Sequence, residues 1–322
     1  MLVEQVRSTI AEGALLACEQ PLLAMISAGR DSTCLLDVAV ALRDAQAVSA
    51  LHVNYGLRAE AGADERRCVE LCEQLGVELE VERADGAPAP AGNLQAWARE
   101  LRYDAARRLA VRRGAMIATG HTASDQVETI LYRLAASPGR RALLGMAPRE
   151  GSLLRPLLGV SREQTAGYCR ERGLEWREDA SNADDRFART RVRNGLLPAL
   201  RAVHPAAEAN VLRTAALLRG ETELLDALVD AELAGGDTIA VARLAELPAA
   251  LARLLVVRLA EGAAGTYVPQ AGGRVAEIVA LGLRGGRAEL HVGGQAGAVI
   301  DGGVLSMVRL PPRGSDLASG EG

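Results

Sequence analysis

Short apolar runs and amphipathic segments alternate along the N-terminal part of this 322-residue chain. The apolar runs have the length of buried strands, and the segments between them carry apolar residues at helical spacing. We predict strands over 21–26, 48–53, 77–81 and 115–119, with helices over 34–42, 64–75, 93–113 and from 124. Such alternation favours a parallel sheet with right-handed crossovers and helices on both faces. The predicted fold class is therefore α/β, a doubly wound parallel sheet.

A short polar segment follows the first predicted strand and opens the next helix. It consists of Ser27, Ala28, Gly29, Arg30, Asp31 and Ser32. A turn of this kind leaves backbone N–H groups unpaired, and these bind phosphate. The serine hydroxyls add donors, and the Asp31 carboxylate is suited to a magnesium ion on the phosphates. An ordinary strand-to-helix turn with polar caps is the alternative.

Two further polar clusters follow predicted strands, over 54–58 and 120–125. Ligands of open parallel sheets lie beyond the carboxyl ends of the strands, so we expect all three clusters to face one cleft. His121 and Asp125 are four residues apart at a helix start and fall on one face. A histidine and an aspartate at this spacing are most often a local hydrogen-bonded pair. Their position beside a phosphate loop favours a functional site.

Arginine supplies all the basic side chains, because the 37 lysine and arginine residues include no lysine. This excludes a Schiff-base lysine and a Walker-type phosphate loop. The net charge of −4 and an aromatic content of 2% do not indicate a general nucleic-acid binder, so only a local basic patch would serve. Arginines recur near 99–113 and 186–193, where they form either a solvated face or a phosphate-binding surface.

The five cysteines form no C-x-x-C pair, and no apolar run reaches membrane-spanning length. The N-terminus shows no signal-like succession of charged and apolar residues. We therefore expect a cytoplasmic protein with reduced thiols and no membrane partner.

Taken together and in order, the clusters resemble tRNA(Ile)-lysidine synthases, a family within the PP-loop ATPase superfamily. That family carries S-G-G-x-D-S, H-V-N-H-G-L-R, G-N-x-E-x-x-A-R-x-x-R-Y, H-T-A-D-D-Q-x-E-T, R-P-L-L and D-x-S-N followed by R-N-x-x-R. The resemblance runs almost continuously from Leu22 to Leu200. This chain departs from the family pattern at Ala28, Tyr55, Ser124, Thr190 and Asn194, where the family has glycine, histidine, aspartate, asparagine and histidine.

The resemblance implies an ATP-dependent ligase that adenylates the wobble cytidine of the CAU-anticodon isoleucine tRNA and joins free L-lysine to it. It implies ATP and Mg²⁺ as cofactors, with Asp31 as the metal ligand. The implied nucleotide-binding residues are Ser27, Ala28, Gly29, Arg30, Asp31 and Ser32. The implied catalytic residues are Asp31, His121, Asp125 and Arg193. The implied substrate and tRNA contacts are Asn54, Arg58, Asn93, Arg99, Arg102, Arg189 and Arg193.

The alternatives are a PP-loop ligase or thiolase acting on another tRNA or a small molecule, and a decayed nucleotide- or RNA-binding protein. We expect a catalytic domain over residues 1–210, a helical and partly β substrate-recognition domain over 211–312, and a disordered tail over 313–322. The chain is short for the family, so we expect the further C-terminal tRNA-binding domain of longer members to be missing. A homodimer is compatible with the sequence.

Overall fold

A computed structural model describes residues 2–17, 19–57, 60–84, 94–136, 139–177 and 188–311 of the chain. The chain divides into two compact units, Met1–Leu218 and Arg219–Gly322. The division lies within helix α10 (Ala207–Leu233), a few residues after the expected boundary. Among the described residues, no helix combines the length and apolarity needed to cross a bilayer.

The described part of the first unit contains one six-stranded sheet. Its strands are β1 (Leu22–Ile26), β2 (Val48–Asn54), β3 (Glu78–Arg83), β4 (Met116–Ala118), β5 (Arg149–Glu150) and β6 (Leu153–Leu154). The order is β3-β2-β1-β4-β6-β5, in which all neighbours are parallel except the edge pair β5–β6. The predicted doubly wound parallel sheet is confirmed, and the four predicted strands are its β1 to β4. The hairpin β5–β6 was not predicted, because strands of two residues give no periodic signal.

Helices of the first unit lie on both faces of the sheet. They are α1 (Leu2–Glu12), α2 (Arg30–Arg43), α3 (Ala61–Leu75), α4 (Leu94–Arg113), α5 (Ala123–Ala136), α6 (Arg140–Leu143), α7 (Arg162–Glu171), α8 (Ala188–Arg191) and α9 (Leu197–Val203). Ser161 and Gln164 form a capping box at the start of α7. A π-helical turn over Val192–Leu196 lies between α8 and α9 and contains Arg193.

The central strand β1 is buried on both faces because helices cover the sheet from two sides. Leu22, Ala24 and Ile26 pack into a core shared with α1, α2, α3 and α7. Leu23 and Met25 point the other way and pack with α4. Complete burial of one leucine side chain contributes about 1.5–3 kcal/mol, so this two-sided burial fixes the register of β1. The end of β1 therefore delivers the polar segment 27–32 to a fixed place.

The second unit combines helices with an antiparallel sheet. Its strands are β7 (Thr238–Ala240), β8 (Ala288–Gly293), β9 (Ala296–Asp301) and β10 (Val304–Arg309), in the order β7-β10-β9-β8. Its helices, besides the end of α10, are α11 (Val241–Glu246), α12 (Ala249–Ala264) and α13 (Val275–Arg284). Helices α11 and α12 are separate rather than one continuous helix. The chain breaks at Pro248, which has no N–H to continue α11 and instead caps α12.

Candidate active site

A cleft of about 520 Å³ opens where β1, β2 and β4 end. This is the edge at which ligands of open parallel sheets bind. Its polar and charged lining comprises Ser27, Arg30, Asp31, Ser32, Arg102, Thr119, His121, Asp125, Arg162, Arg177 and Arg193. The rest of the wall is formed by Gly29, Gly120, the rings of Tyr55, Tyr103 and Trp176, and the apolar residues Met25, Ile26, Leu51 and Val53. The structure therefore brings together the first and third polar clusters of the sequence and one residue, Tyr55, of the second.

The segment 27–32 is a closed turn held by its own serines. The Ser27 N–H donates to the Ser32 hydroxyl oxygen at 3.2 Å, and that hydroxyl donates to the Gly29 carbonyl at 2.9 Å. The Thr33 N–H donates to the same carbonyl, the earliest backbone bond of α2, so preceding N–H groups have no acceptor within the helix. The positive end of α2 thus lies at the cleft, where an anion is stabilised.

Ala28 adopts a left-handed backbone conformation with φ of 59°. Its carbonyl accepts the Arg177 N–H at 2.9 Å, and its methyl group is buried in the core rather than lining the cleft. The family pattern has glycine here, which enters this region without steric cost. A nucleotide contact from Ala28 would therefore come from its backbone.

Gly120 packs directly against the first turn of α2. A Cβ atom at this position would lie 3.1 Å from the Asp31 carbonyl carbon and oxygen and from the Ser32 nitrogen. Contacts this short with backbone atoms require one of the two segments to move. The glycine therefore allows the end of β4, which precedes His121, to approach the turn 27–32.

Three carboxylates surround the Arg162 guanidinium at the cleft. Its Nη2 lies 2.5 Å from Asp125 Oδ1, its Nη1 lies 2.9 Å from Glu128 Oε1, and its Nε lies 3.8 Å from Asp31 Oδ2. Asp31 also accepts the Thr165 hydroxyl at 2.5 Å and Arg30 Nε at 3.1 Å. Sequence reasoning did not single out Arg162 or Thr165, and Glu128 entered only as the glutamate of the H-T-A-D-D-Q-x-E-T pattern, with no role assigned. The signals available were the position of Arg162 beside the α7 cap and the three-residue spacing of Glu128 from Asp125.

Glu128 is buried and accepts two guanidinium groups. Arg193 donates from Nε at 2.7 Å and from Nη2 at 3.0 Å, while Arg162 donates to the same carboxylate. Only 2% of the Glu128 side chain is exposed, so its charge depends on these partners. Glu128 therefore fixes Arg193, which was predicted to be catalytic, on the wall of the cleft.

Asp125 and His121 have perturbed pKa values. Burial raises the pKa of Asp125, but Arg162 and the Thr122 N–H and hydroxyl, at 2.9 and 2.8 Å, outweigh it and lower the pKa overall. Burial is the main cause that lowers the pKa of His121 to about 4, and nearby arginines add to it against the charge of Asp125. His121 is therefore uncharged near neutral pH. Its Nδ1 lies 2.8 Å from the Thr119 hydroxyl, which fixes the ring orientation.

Several predicted residues lie outside the cleft lining. Asn54 donates to Glu65 at 2.7 Å and accepts the Gly56 N–H at 2.9 Å, a local turn contact. Arg99 lies over the Tyr103 ring at 4.8 Å, and Arg189 is 3.4 Å from the Thr129 hydroxyl. Two further predicted residues, Arg58 and Asn93, fall outside the described residues.

Aromatic side chains collect at the cleft although they make up only 2% of the chain. Tyr55 donates its hydroxyl to the Ala98 carbonyl at 3.0 Å and packs on Trp97 with ring centroids 6.2 Å apart. Tyr103 and Trp176 line other parts of the wall. The aromatic content of 2% indicated little surface on which bases could stack, but the fold places three aromatic rings in the wall of the cleft.

The carboxylates of Asp31 and Asp125 are suited to a metal ion that is also coordinated by the phosphates of a nucleotide. No group of three histidine, cysteine or acidic side chains forms a metal site among the residues that the structure describes. Magnesium is commonly held by one or two carboxylates, with phosphate oxygens and water as the other ligands. Asp31 and Asp125, beside the positive end of α2, match that donor set.

Residues 3–200 match the family model for the PP-loop domain. The tRNA(Ile)-lysidine synthase of Pseudomonas fluorescens (strain Pf0-1) is 41% identical over 214 residues, which are 64% of this chain and 48% of the relative. The enzyme of the same name from Solibacter usitatus is 37% identical over 268 residues, 80% of this chain and 60% of the relative. The chain thus spans about half the length of the curated relatives it matches.

A solved structure of similar fold is the U34-tRNA thiolase NcsA from Methanococcus maripaludis with its [4Fe-4S] cluster. Its TM-score is 0.58 at 15% identity, and the match covers 68% of this chain and 79% of that chain. At this identity the likeness concerns the fold alone. The family model covers more than half of the chain and includes the whole cleft, so the chain belongs to the PP-loop domain family.

Proposed function

We propose that the chain is an ATP-dependent ligase that adenylates the wobble cytidine of the CAU-anticodon isoleucine tRNA and joins L-lysine to it. The observation that carries the proposal is the convergence on one cleft of the turn 27–32, His121 with Asp125, and Arg193. These groups come from distant parts of the chain and include donors for phosphate and carboxylates for a metal. The similarity to tRNA(Ile)-lysidine synthases over 64% to 80% of this chain supports the substrate assignment.

In the first step the cytosine O2 attacks the α-phosphate of ATP, and pyrophosphate leaves. In the second step the lysine amine attacks C2, the C–O bond to the adenylate breaks, and AMP leaves with the amine losing a proton. Phosphoryl chemistry of this kind depends mainly on positioning and charge neutralisation. The N–H groups at the start of α2 and the hydroxyls of Ser27 and Ser32 would bind the pyrophosphate. Arg193 would lie close enough to neutralise developing charge.

Asp31 would hold Mg²⁺, which screens the phosphate charge when the nucleotide is bound. His121 is uncharged near neutral pH, so it would hydrogen-bond the ligand without adding a cation beside Arg102. Unstacking a base in an anticodon loop costs little free energy, and the unstacked base could stack on the rings of Tyr55 and Tyr103 in the cleft.

The test is AMP release from ATP, with and without L-lysine and the CAU-anticodon isoleucine tRNA. We expect AMP only when both are present. Asp31→Asn should lower the rate at least about a hundredfold, as loss of a group that stabilises transition-state charge does. The matched control is Asp104→Asn, an aspartate on α4 that pairs with Arg107 away from the cleft, and it should leave the rate unchanged.

Other results would select the alternatives. AMP formed without tRNA would indicate a small-molecule ligase, and nucleotide binding with no AMP would indicate a binding protein. The described cysteines do not support thiolase chemistry, because Cys34, Cys68, Cys72 and Cys169 are all buried and none lines the cleft. Burial raises the pKa of Cys68 and Cys72 to about 12, which disfavours the thiolate. A cytoplasmic location follows from the proposed tRNA substrate, and a homodimer stays a prediction.

A further inference from the structure

The Arg162 guanidinium lies at the centre of the carboxylates that would accompany a metal–nucleotide complex. It contacts Asp125 at 2.5 Å and Glu128 at 2.9 Å, with Asp31 at 3.8 Å. One cation thus pairs with three acidic groups on two helices: Asp31 on α2, and Asp125 and Glu128 on α5. Without it, like charges would face each other across the cleft and would repel.

Arg162 is held firmly in this position. Its backbone N–H lies 3.4 Å from the Ser124 hydroxyl, at the position where the family pattern has aspartate. Its side chain is only 21% exposed, and the capping box of Ser161 and Gln164 fixes the first turn of α7. A second clamp holds α7 against α2, because Asp37 accepts the Tyr168 hydroxyl at 2.5 Å and two Arg172 nitrogens at 3.0 Å.

We propose that Arg162 is a positioning residue that keeps Asp31 and Asp125 in place in the free protein and prevents a divalent cation from binding there without nucleotide. A guanidinium at 2.5 Å from Asp125 must move or share its partner before a metal can use that carboxylate. Nucleotide phosphates would supply both the missing metal ligands and a new anionic partner for Arg162. The site would therefore accept the metal–nucleotide complex and discriminate against the free metal.

The charges of the neighbouring groups support this assignment. Glu128 keeps Arg193 as a bidentate partner, and Asp31 keeps Arg30 at 3.1 Å. Asp125 has backbone and hydroxyl donors from Thr122, but Arg162 is its only ion-pair partner in the part of the chain that the structure describes. Removal of Arg162 would therefore leave Asp125 as the carboxylate released to a metal.

The test measures thermal unfolding and Mg²⁺ titration of the full chain without nucleotide. Arg162→Gln should create a Mg²⁺-dependent rise in Tm and an affinity for Mg²⁺ alone about tenfold or more above wild type, since a competing charged hydrogen bond is lost. Arg172→Gln is the matched control, because Arg172 follows the same helix and pairs with the buried Asp37 away from the cleft. It should lower Tm without any response to Mg²⁺.

A Mg²⁺ response of wild type equal to that of Arg162→Gln would overturn the inference, and so would an absent response in the variant. If Arg162→Gln does not fold, the variant Arg162→Lys is used to test the proposal instead. Lysine keeps one charge but cannot bridge three carboxylates, so we expect a Mg²⁺ response above that of wild type, and an equal response would contradict the proposal.

This inference rests on the proposed use of Mg²⁺ and ATP by the cleft but not on tRNA or lysine. Binding of ATP with Mg²⁺ to wild type is measured in parallel. A wild-type chain that does not bind the complex would count against the proposed function. Normal binding of the complex, with no response to Mg²⁺ alone in either Arg162 variant, would count against the role of Arg162 only.

Discussion

At the residue scale, the fold imposes a strained backbone conformation on one residue near the cleft and a lowered pKa on another. Ala28 holds a left-handed backbone conformation with a buried methyl group, and His121 is kept uncharged by burial and nearby arginines. Neither property can be read from the residue type. Each of these two properties leads to a quantitative prediction for a single substitution.

Ala28→Gly should change the free energy of unfolding by less than about 0.5 kcal/mol. Relief of the left-handed conformation gains about 1–2 kcal/mol. Glycine has more backbone conformational entropy in the unfolded chain, which lowers the free energy of unfolding by about 0.5–1 kcal/mol. Loss of the buried methyl group lowers it by about 0.8 kcal/mol. Ala14, with φ of 52° at an exposed position, is the control. Ala14→Gly should stabilise by about 0.5–1 kcal/mol in urea unfolding, because there is no buried methyl to lose. Equal gains at both sites would show that the Ala28 methyl contributes nothing to the core.

His121→Gln should flatten the dependence of stability on pH below neutrality. The unfolded chain binds a proton at this histidine near its ordinary pKa of 6.5, whereas the folded chain does so only near 4. The stabilisation is therefore complete above pH 6.5 and is lost as the pH falls through about 4. Urea unfolding at pH 7 and at intermediate acid pH measures the difference. Burial also lowers the pKa of His52, so part of the slope should remain. Identical slopes in wild type and variant would contradict the lowered pKa of His121.

At the element scale, the site depends on how closely the end of β4 approaches the start of α2. The two meet at Gly120, while α2 is fixed from its other side by the contacts of Asp37 with α7. The turn 27–32 is thus held between a strand end and a helix. Small displacements of either element should act directly on the cleft.

Gly120→Ala should destabilise the fold by about 1–3 kcal/mol, the usual cost of an added group in a packed place. It should also weaken ATP binding, because the new Cβ meets backbone of Asp31 and Ser32 at 3.1 Å. Gly62→Ala in α3 is the control, since its added Cβ would meet only the flexible end of Arg66 at 3.7 Å. Calorimetric titration with Mg²⁺ and ATP checks the affinity. If Gly120→Ala binds ATP as wild type does, the close approach is not needed for the site.

At the scale of the whole molecule, the proposed tRNA substrate would have to bind a chain whose net charge is −4. Much of the basic face of α4 is neutralised, because Arg108, Arg112 and Arg113 pair with carboxylates of β3. Arg99, nearer the start of the same helix, lies over Tyr103 beside the cleft. The sequence left open whether the arginines of α4 form a solvated face or bind phosphate, and these ion pairs leave the end of α4 nearest the cleft as the candidate phosphate-binding part.

Arg99→Gln should weaken tRNA binding and reduce the slope of log affinity against log salt by about 0.7–0.9, the value for one phosphate contact. Arg108→Gln, on the same helix but paired with Glu82, should leave both unchanged. Filter binding over a range of salt concentrations measures the slope. An unchanged slope for Arg99→Gln would remove α4 from the tRNA contact surface.

The sequence alone determined the doubly wound sheet, because buried strands and amphipathic helices differ in period and β1 to β4 each carry that signal. It also indicated the phosphate turn, His121 and Asp125, since their order along the chain places them at strand ends. Only the tertiary structure decided that Arg162, Thr165 and Glu128 belong to the same site. Their partners lie as far as 134 residues away in the chain, and a contact at such separation leaves no local pattern. The burial that lowers the pKa of His121 is likewise a property of the packed cleft.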